Sequence, residues 1–233
     1  MDRTEIAKLA QLEDAHWWYR ERRHLLSRSI STLRPGRALD IGAAAGGNTR
    51  VLRSAGWQAV ALEYGADGAA IASGRGVPVL RADATRLPVE SRVLDLVVAF
   101  DVLEHLDDDA AAAAEIRRVL RPGGTALIAV PADPRLWSAH DEAVGHVRRY
   151  TRPALVALLQ GAGLSIEDVR SWNVLLRPVA AWRRRTSTGS DLDELPAVVN
   201  GGLRLMVALE RRLPVGSLPG VSLLVRAGTG TRR

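Results

Sequence analysis

Three carboxylates close or interrupt short apolar runs early in this chain: Asp40 in Arg37–Ile41, Glu63 at the end of Gln58–Glu63 and Asp83 at the end of Val77–Asp83. A carboxylate accepts two hydrogen bonds side by side, which matches the paired hydroxyls of a ribose. Glu63 follows Gly42 by about 20 residues, the spacing at which such an acid meets an adenosine ligand. Asp83 is suited to accept from an adenine amino group. After Asp40 the chain reads Ile41-Gly42-Ala43-Ala44-Ala45-Gly46-Gly47, small residues that let the backbone approach a ligand closely. Asp40 stands two residues before the first of these glycines, where a negative charge attracts an ammonium and repels a pyrophosphate. Ala44 occupies the place of the second glycine that pyrophosphate approach requires. Together these features favour S-adenosylmethionine over a dinucleotide.

A second group of reactive types lies in Leu136–Tyr150, after the apolar run Thr125–Val130. An imidazole can take a proton from an acceptor hydroxyl or amine as that atom attacks a methyl group, so His140 and His146 are the candidate catalytic bases. The alternative is that they only tie the loop to its scaffold. Trp137, Arg148 and Tyr150 are candidate substrate contacts; Trp17, Trp18 and Tyr19 suit either a core cluster or a lid. Asp101, Glu104 and His105 follow Leu94–Phe100 and read as a helix-opening segment that positions a cofactor. No metal is expected, because the two loop histidines lack a third ligand at metal-binding spacing and His16 and His24 are remote in sequence. With no cysteine, disulfides, thiolate ligands and sulfur nucleophiles are excluded, and with them pyrimidine C5-methylation.

The elements that must position these groups follow from hydrophobic period. Apolar runs at Arg37–Ile41, Gln58–Glu63, Val77–Asp83, Leu94–Phe100 and Thr125–Val130 read as strands, with helices at Asn48–Ala55, Ala66–Ser73 and Asp108–Leu120 between them. That alternation predicts an α/β fold, a Rossmann-like parallel sheet with helices on both faces. Arg121-Pro122-Gly123-Gly124 is expected to be a turn. Upstream, a helix is expected from Thr4 to about Leu33; downstream, a helix at Thr151–Gln160, a strand at Ser165–Trp172 and a last strand at Val221–Val225. The 233 residues fit one domain: a helical lid (1–34), a core (35–172), an inserted cap (173–218), then the last strand and a frayed tail from Ala227. Within the cap, Val199, Leu203, Met206, Leu209 and Leu213 fall close to one helical face, and Arg183-Arg184-Arg185 follows Trp182. This segment suits a cover over a hydrophobic acceptor or a contact with a membrane surface.

In order and spacing, LDIGAAAGG, ALEYG, RADATRLPVESRVLDLVVAFDVLEHL and LRPGGTALIAVP resemble the successive motifs of class I S-adenosylmethionine-dependent methyltransferases, particularly the small-molecule branch. The resemblance covers residues 37 to 131. It implies a seven-stranded sheet, mostly parallel with the last strand antiparallel. It also implies that Asp40, Gly42 and Gly46 meet the methionine part of the cofactor, Glu63 the ribose, Asp83 and Ala84 the adenine, and Phe100 the cofactor through its backbone, with Ala43 and Tyr64 as further cofactor contacts. The expected reaction is O-methylation of a small or lipid-linked metabolite, as in natural-product biosynthesis, with N- or C-methylation as variants. An NAD-dependent oxidoreductase and an RNA-modifying methyltransferase are the rival readings.

The Asp/Asn-Pro-Pro-aromatic run of enzymes that methylate base amines is absent. A net charge of +6 admits nucleic acid, yet Lys8 is the only lysine and the arginines are scattered, so charge names no partner. The polar start MDRTEIAKLAQLED, and the lack of an apolar run near ~20 residues, make the cytoplasm the expected compartment, with peripheral membrane contact as an option. Oligomeric state is not encoded in any of these patterns.

Overall fold

Side chains along a strand alternate between the two faces of a sheet, and in this chain both faces are apolar. Leu96, Val98 and Phe100 pack on one side with Leu26, Ile30 and Leu52, whereas Val97 and Ala99 pack on the other with Ile116, Leu155 and Leu159. The central strands must therefore be covered twice. The computed structural model describes residues 12–186 and 195–230. Its elements run α1 (Trp17–Ile30), β1 (Arg37–Ile41), α2 (Gly47–Ser54), β2 (Gln58–Glu63), α3 (Ala66–Gly74), β3 (Val79–Arg81) and β4 (Leu94–Phe100). They continue α4 (Asp109–Val119), β5 (Leu120–Pro131), α5 (Ala139–Ala143), α6 (Arg152–Gly161), β6 (Ser165–Trp172), α7 (Arg177–Thr186), α8 (Ala197–Glu210) and β7 (Ser222–Gly228).

The strands form one seven-stranded sheet in the order β3-β2-β1-β4-β5-β7-β6. β1 pairs in parallel with both β2 and β4, while β7 runs antiparallel between β5 and β6. The strand order reverses between β1 and β4, so a crevice opens beyond their carboxyl ends, the usual ligand position in open α/β sheets. Register brings Ile41 level with Leu62 and Ala99, and Glu63 level with Arg81. The ends of four strands thus share one rim.

Three expectations are corrected by this fold. The helix expected to run unbroken from Thr4 is interrupted before Trp17: Leu12 is helical, residues 13–16 turn, and His16 adopts an extended backbone with its side chain accepting from Trp18 N as an N-cap; the residues before 12, and with them the expected start, lie outside the described set. The turn expected at Arg121–Gly124 is a bulge within β5: Leu94 pairs with Leu120, then Leu96 with Thr125, and Gly123 takes the left-handed φ of 79°. The tail expected to fray from Ala227 stays in β7 through Gly228, since its residues pair with β5 on one side and β6 on the other.

Candidate active site

The crevice is a cavity of about 1070 Å³ walled by α1, the carboxyl ends of β1, β2 and β4, the segment around α5, and helices α7 and α8. One end is built by the β1–α2 turn. Gly42 has φ of 66°, and a Cβ there would stand 2.6 Å from Val102 Cγ2, so glycine is required by conformation and by space alike. Ala44 also takes a left-handed φ, 47°, which lets its N–H turn back to donate to Glu63 Oε2 at 2.7 Å. Gly65 N donates to Glu63 Oε1 at 3.3 Å. These bonds hold the carboxylate on the cavity wall beside the β1 turn.

Gly42, Ala43, Glu63, Tyr64, Asp83, Ala84 and Phe100 all line this cavity. Tyr64 is 75% exposed. Asp83 accepts from Thr85 N and Oγ1 at 2.8 and 2.7 Å, bonds that hold its carboxyl below the ordinary value and keep it charged. The Phe100 carbonyl accepts from Arg22 Nη2 at 2.8 Å, and Arg22 also lies 3.2 Å from Asp101. Two of the expected cofactor residues sit behind the wall instead. Asp40 is buried and accepts from Thr49 Oγ1 at 2.6 Å; burial pushes its pKa up to about 7. Gly46, at φ of 82°, ends the turn as the N-cap of α2.

At the other end the cavity meets His140 and His146, together with Trp17, Trp18 and Tyr19 from the start of α1. Trp18 stacks on Trp172 with centroids 4.4 Å apart, and burial raises the Tyr19 phenol to about 12. His146 has the more developed surroundings of the two loop histidines. Its Nδ1 lies 2.8 Å from Asp141 Oδ1, and Asp141 accepts only, so Nδ1 carries the proton and Nε2 keeps its lone pair. Asp141 is fully buried and also accepts from Arg149 Nε at 2.8 Å, Ser138 N at 3.0 Å and Arg184 Nη1 at 3.3 Å. Burial alone would raise this carboxyl, but the His146 and arginine contacts outweigh it and hold Asp141 far below the usual range. A fixed negative charge behind an imidazole orients it and stabilises the cation formed when it accepts a proton.

Trp137, Arg148 and Tyr150 are not on the cavity wall, contrary to expectation. Trp137 Nε1 reaches outward to Glu142, Arg148 pairs with Asp109 at 3.0 Å, and the buried Tyr150 hydroxyl donates to Asp109 Oδ2 at 2.6 Å. Asp109 draws the last two toward the start of α4. Conversely, sequence reasoning missed Asp141, Arg149, Arg22 and Asn173. Asn173 has φ of 57°, is 1% exposed against the cavity wall, and neither side-chain Nδ2 nor Oδ1 has a partner. Asn is among the residues that tolerate this left-handed conformation, and its amide is left without a hydrogen-bond partner at the cavity wall. In sequence, the only cue was the break in pattern after Trp172.

The fold also supplies the third metal-type ligand that sequence spacing lacked. Glu104, His105 and His146 each place one ligand-type atom within 4.8 Å of the others, a grouping that could hold a cation. Glu104 is fully buried with both oxygens unpartnered, and burial raises its pKa well above the ordinary value. His105 Nδ1 is 3.0 Å from the Gly145 carbonyl, which leaves Nε2 available. A cation here and a base at His146 Nε2 compete for the same lone pair.

Residues 16–169 match the family described as methyltransferase domain. A "Probable S-adenosylmethionine-dependent methyltransferase" of Mycolicibacterium smegmatis is 28% identical over 163 residues, covering 67% of this chain and 63% of that protein. The demethylmenaquinone methyltransferase of Mycobacterium tuberculosis is 29% identical over 150 residues, covering 63% and 64%. The matched stretch therefore spans less than two thirds of either relative. Among solved structures, a chain from the complex of the Haloferax volcanii Trm112 methyltransferase activator with a methyltransferase superimposes with a TM-score of 0.68 at 20% identity, covering 99% and 96%. A geranyl diphosphate methyltransferase solved with its substrate and sinefungin gives 0.65 at 16% identity, covering 91% and 78%. These superpositions speak for the fold.

Proposed function

The chain belongs to the methyltransferase-domain family, and on that footing we propose that it moves the methyl group of S-adenosylmethionine onto an oxygen of an apolar small or lipid-linked acceptor. The cofactor would occupy the end of the cavity built by Gly42, Ala43, Glu63, Asp83 and Ala84. The acceptor would occupy the end walled by Trp18, His146, Leu176, Val179 and Leu203. The acceptor oxygen attacks the sulfonium methyl, the carbon–sulfur bond breaks with its electron pair on sulfur, and His146 Nε2 takes the hydroxyl proton. The protein's work is alignment, exclusion of water and removal of that proton.

The observation that carries this reading is His146 on the cavity wall with the buried Asp141 2.8 Å behind its Nδ1. Val179 and Ala180 of α7 and Leu203 of α8, which line the cavity beside Arg183 and Arg184, support an apolar acceptor. The test supplies methyl-labelled S-adenosylmethionine with a phenol panel and with a lipid extract. Label recovered as an ether or ester methyl supports the proposal. Label recovered in RNA, or on nitrogen or carbon, overturns the acceptor assignment while leaving methyl transfer intact.

A further inference from the structure

A helix on the outside of a folded chain ordinarily turns its apolar side inward; α8 buries Val207 and turns Leu203 to the cavity, yet it carries a second apolar stripe outward. Its inward contacts are largely polar. Asn200 Oδ1 accepts from Trp17 N at 2.9 Å, Glu210 Oε2 accepts from Leu175 N at 2.9 Å, and Arg211 Nε, just past the helix, donates to Glu21 at 2.9 Å. Outward, Val198, Leu205 and Leu209 fall at i, i+7 and i+11 on one stripe, 87%, 73% and 52% exposed. Met206 and Leu213 broaden that stripe, and Trp182 on α7 is 69% exposed.

Among the described residues, Val198, Leu205 and Leu209 stay largely open to solvent. Arg204 and Arg212 flank it and are exposed, and the one carboxylate among the described residues of α7 and α8 is Glu210, which is buried. The same helix contributes Leu203 to the cavity, where it joins Val179 of α7. The apolar face and the acceptor end of the cavity therefore share a helix. No helix among the described residues is long and apolar enough to cross a membrane, so any lipid contact is with the surface.

We infer that the outward face of α8 docks on an anionic lipid bilayer, with Val198, Leu205 and Leu209 in the acyl boundary and Arg204 and Arg212 among the phosphates. The placement rests on the reading of the cavity as a methyl-acceptor site, since docking would then set the α7–α8 side of the cavity against the lipid from which an apolar acceptor comes. The charge pattern selects lipid over a second copy of the chain, because a symmetric partner would set arginines against arginines.

The full chain is tested by flotation with vesicles of phosphatidylcholine containing phosphatidylglycerol, and with phosphatidylcholine vesicles alone. Binding to the anionic vesicles is expected, with weaker binding in raised salt. The double variant Leu205→Glu, Leu209→Glu should lower the partition at least about tenfold, and Arg204→Gln, Arg212→Gln by about tenfold. S-adenosylhomocysteine affinity, measured without vesicles, should not move in either variant. No vesicle binding overturns the inference, as does binding that both double variants retain. A dimer that Leu205→Glu, Leu209→Glu dissociates, in the absence of vesicle binding, overturns it in favour of a second copy. Failure of the parent chain to bind S-adenosylhomocysteine instead sinks the proposed function, so the two failures are distinct.

Discussion

At the scale of single residues, three groups carry separable expectations. Glu63 is held on the cavity wall by Ala44 N and Gly65 N, and its remaining acceptor sites suit a ribose. Glu63→Gln should weaken S-adenosylmethionine binding by about 1–3 kcal/mol in calorimetry; unchanged affinity in a folded variant removes Glu63 from the site. His146→Ala should cut turnover ~100- to 10,000-fold with cofactor affinity intact, whereas His140→Ala should do far less. Chelation should leave the rate alone; loss on chelation, restored by a divalent cation, would instead assign His146 to a metal held with Glu104 and His105. Asp40 gives a pH dependence of definite sign. Burial raises its folded pKa to about 7 from the ordinary value of 3.8, so the folded chain retains a proton that the unfolded chain releases. The stability it contributes is full below the lower value and is lost as pH rises through the upper one. Melting of the cofactor-free chain should therefore fall relative to Asp40→Asn between about pH 5 and 8. Parallel melting curves for the two chains would sink this assignment.

Among elements, α1 and α8 form the unit that the sheet does not by itself hold in place. α1 packs Leu26 and Ile30 against the sheet, and Glu21, 2% exposed, accepts from both Arg211 Nε and Nη2. Glu21→Ala leaves Arg211 to water at 30% side-chain exposure and should cost about 1–3 kcal/mol. Each kcal/mol corresponds to roughly 2–4 °C of melting temperature for a chain of this size. Hydrogen exchange should quicken across α1 in that variant, and unchanged protection there would show that the tether does not hold the helix. Acceptor turnover should fall with it, because Trp17, Trp18 and Tyr19 wall the cavity from this helix.

For the whole molecule, one cavity spans the sheet rim and the α1, α7 and α8 cover, so a ligand that fills it should stabilise the entire chain. S-adenosylhomocysteine at 100 times its dissociation constant should add ~2.7 kcal/mol, about 5–10 °C in melting temperature, and NAD should add little. Equal shifts from the two would return the dinucleotide reading to contention. What could be read from the chain alone was set by local pattern. The short apolar runs of β1, β2 and β4, the helices between them and the small residues of Gly42–Gly47 announce their own conformations, and the carboxylates at strand ends inherit their places from a parallel sheet. Other features depended on contacts between distant segments. Asp141 meets His146 because the Ser138 capping box and Arg149 orient it, whereas Asp109 takes Arg148 and Tyr150 away from the cavity. Glu104 and His105 reach His146 across some 40 residues, and Gly228 stays in a strand because two neighbours pair with β7. The face expected of Val199, Leu203, Met206, Leu209 and Leu213 is split, with Leu203 turned to the cavity and the others outward beside Val198 and Leu205, a direction set by the polar tethers of Asn200, Glu210 and Arg211. A helical period fixes which residues share a face, and only the partners on the opposite face determine which way it points.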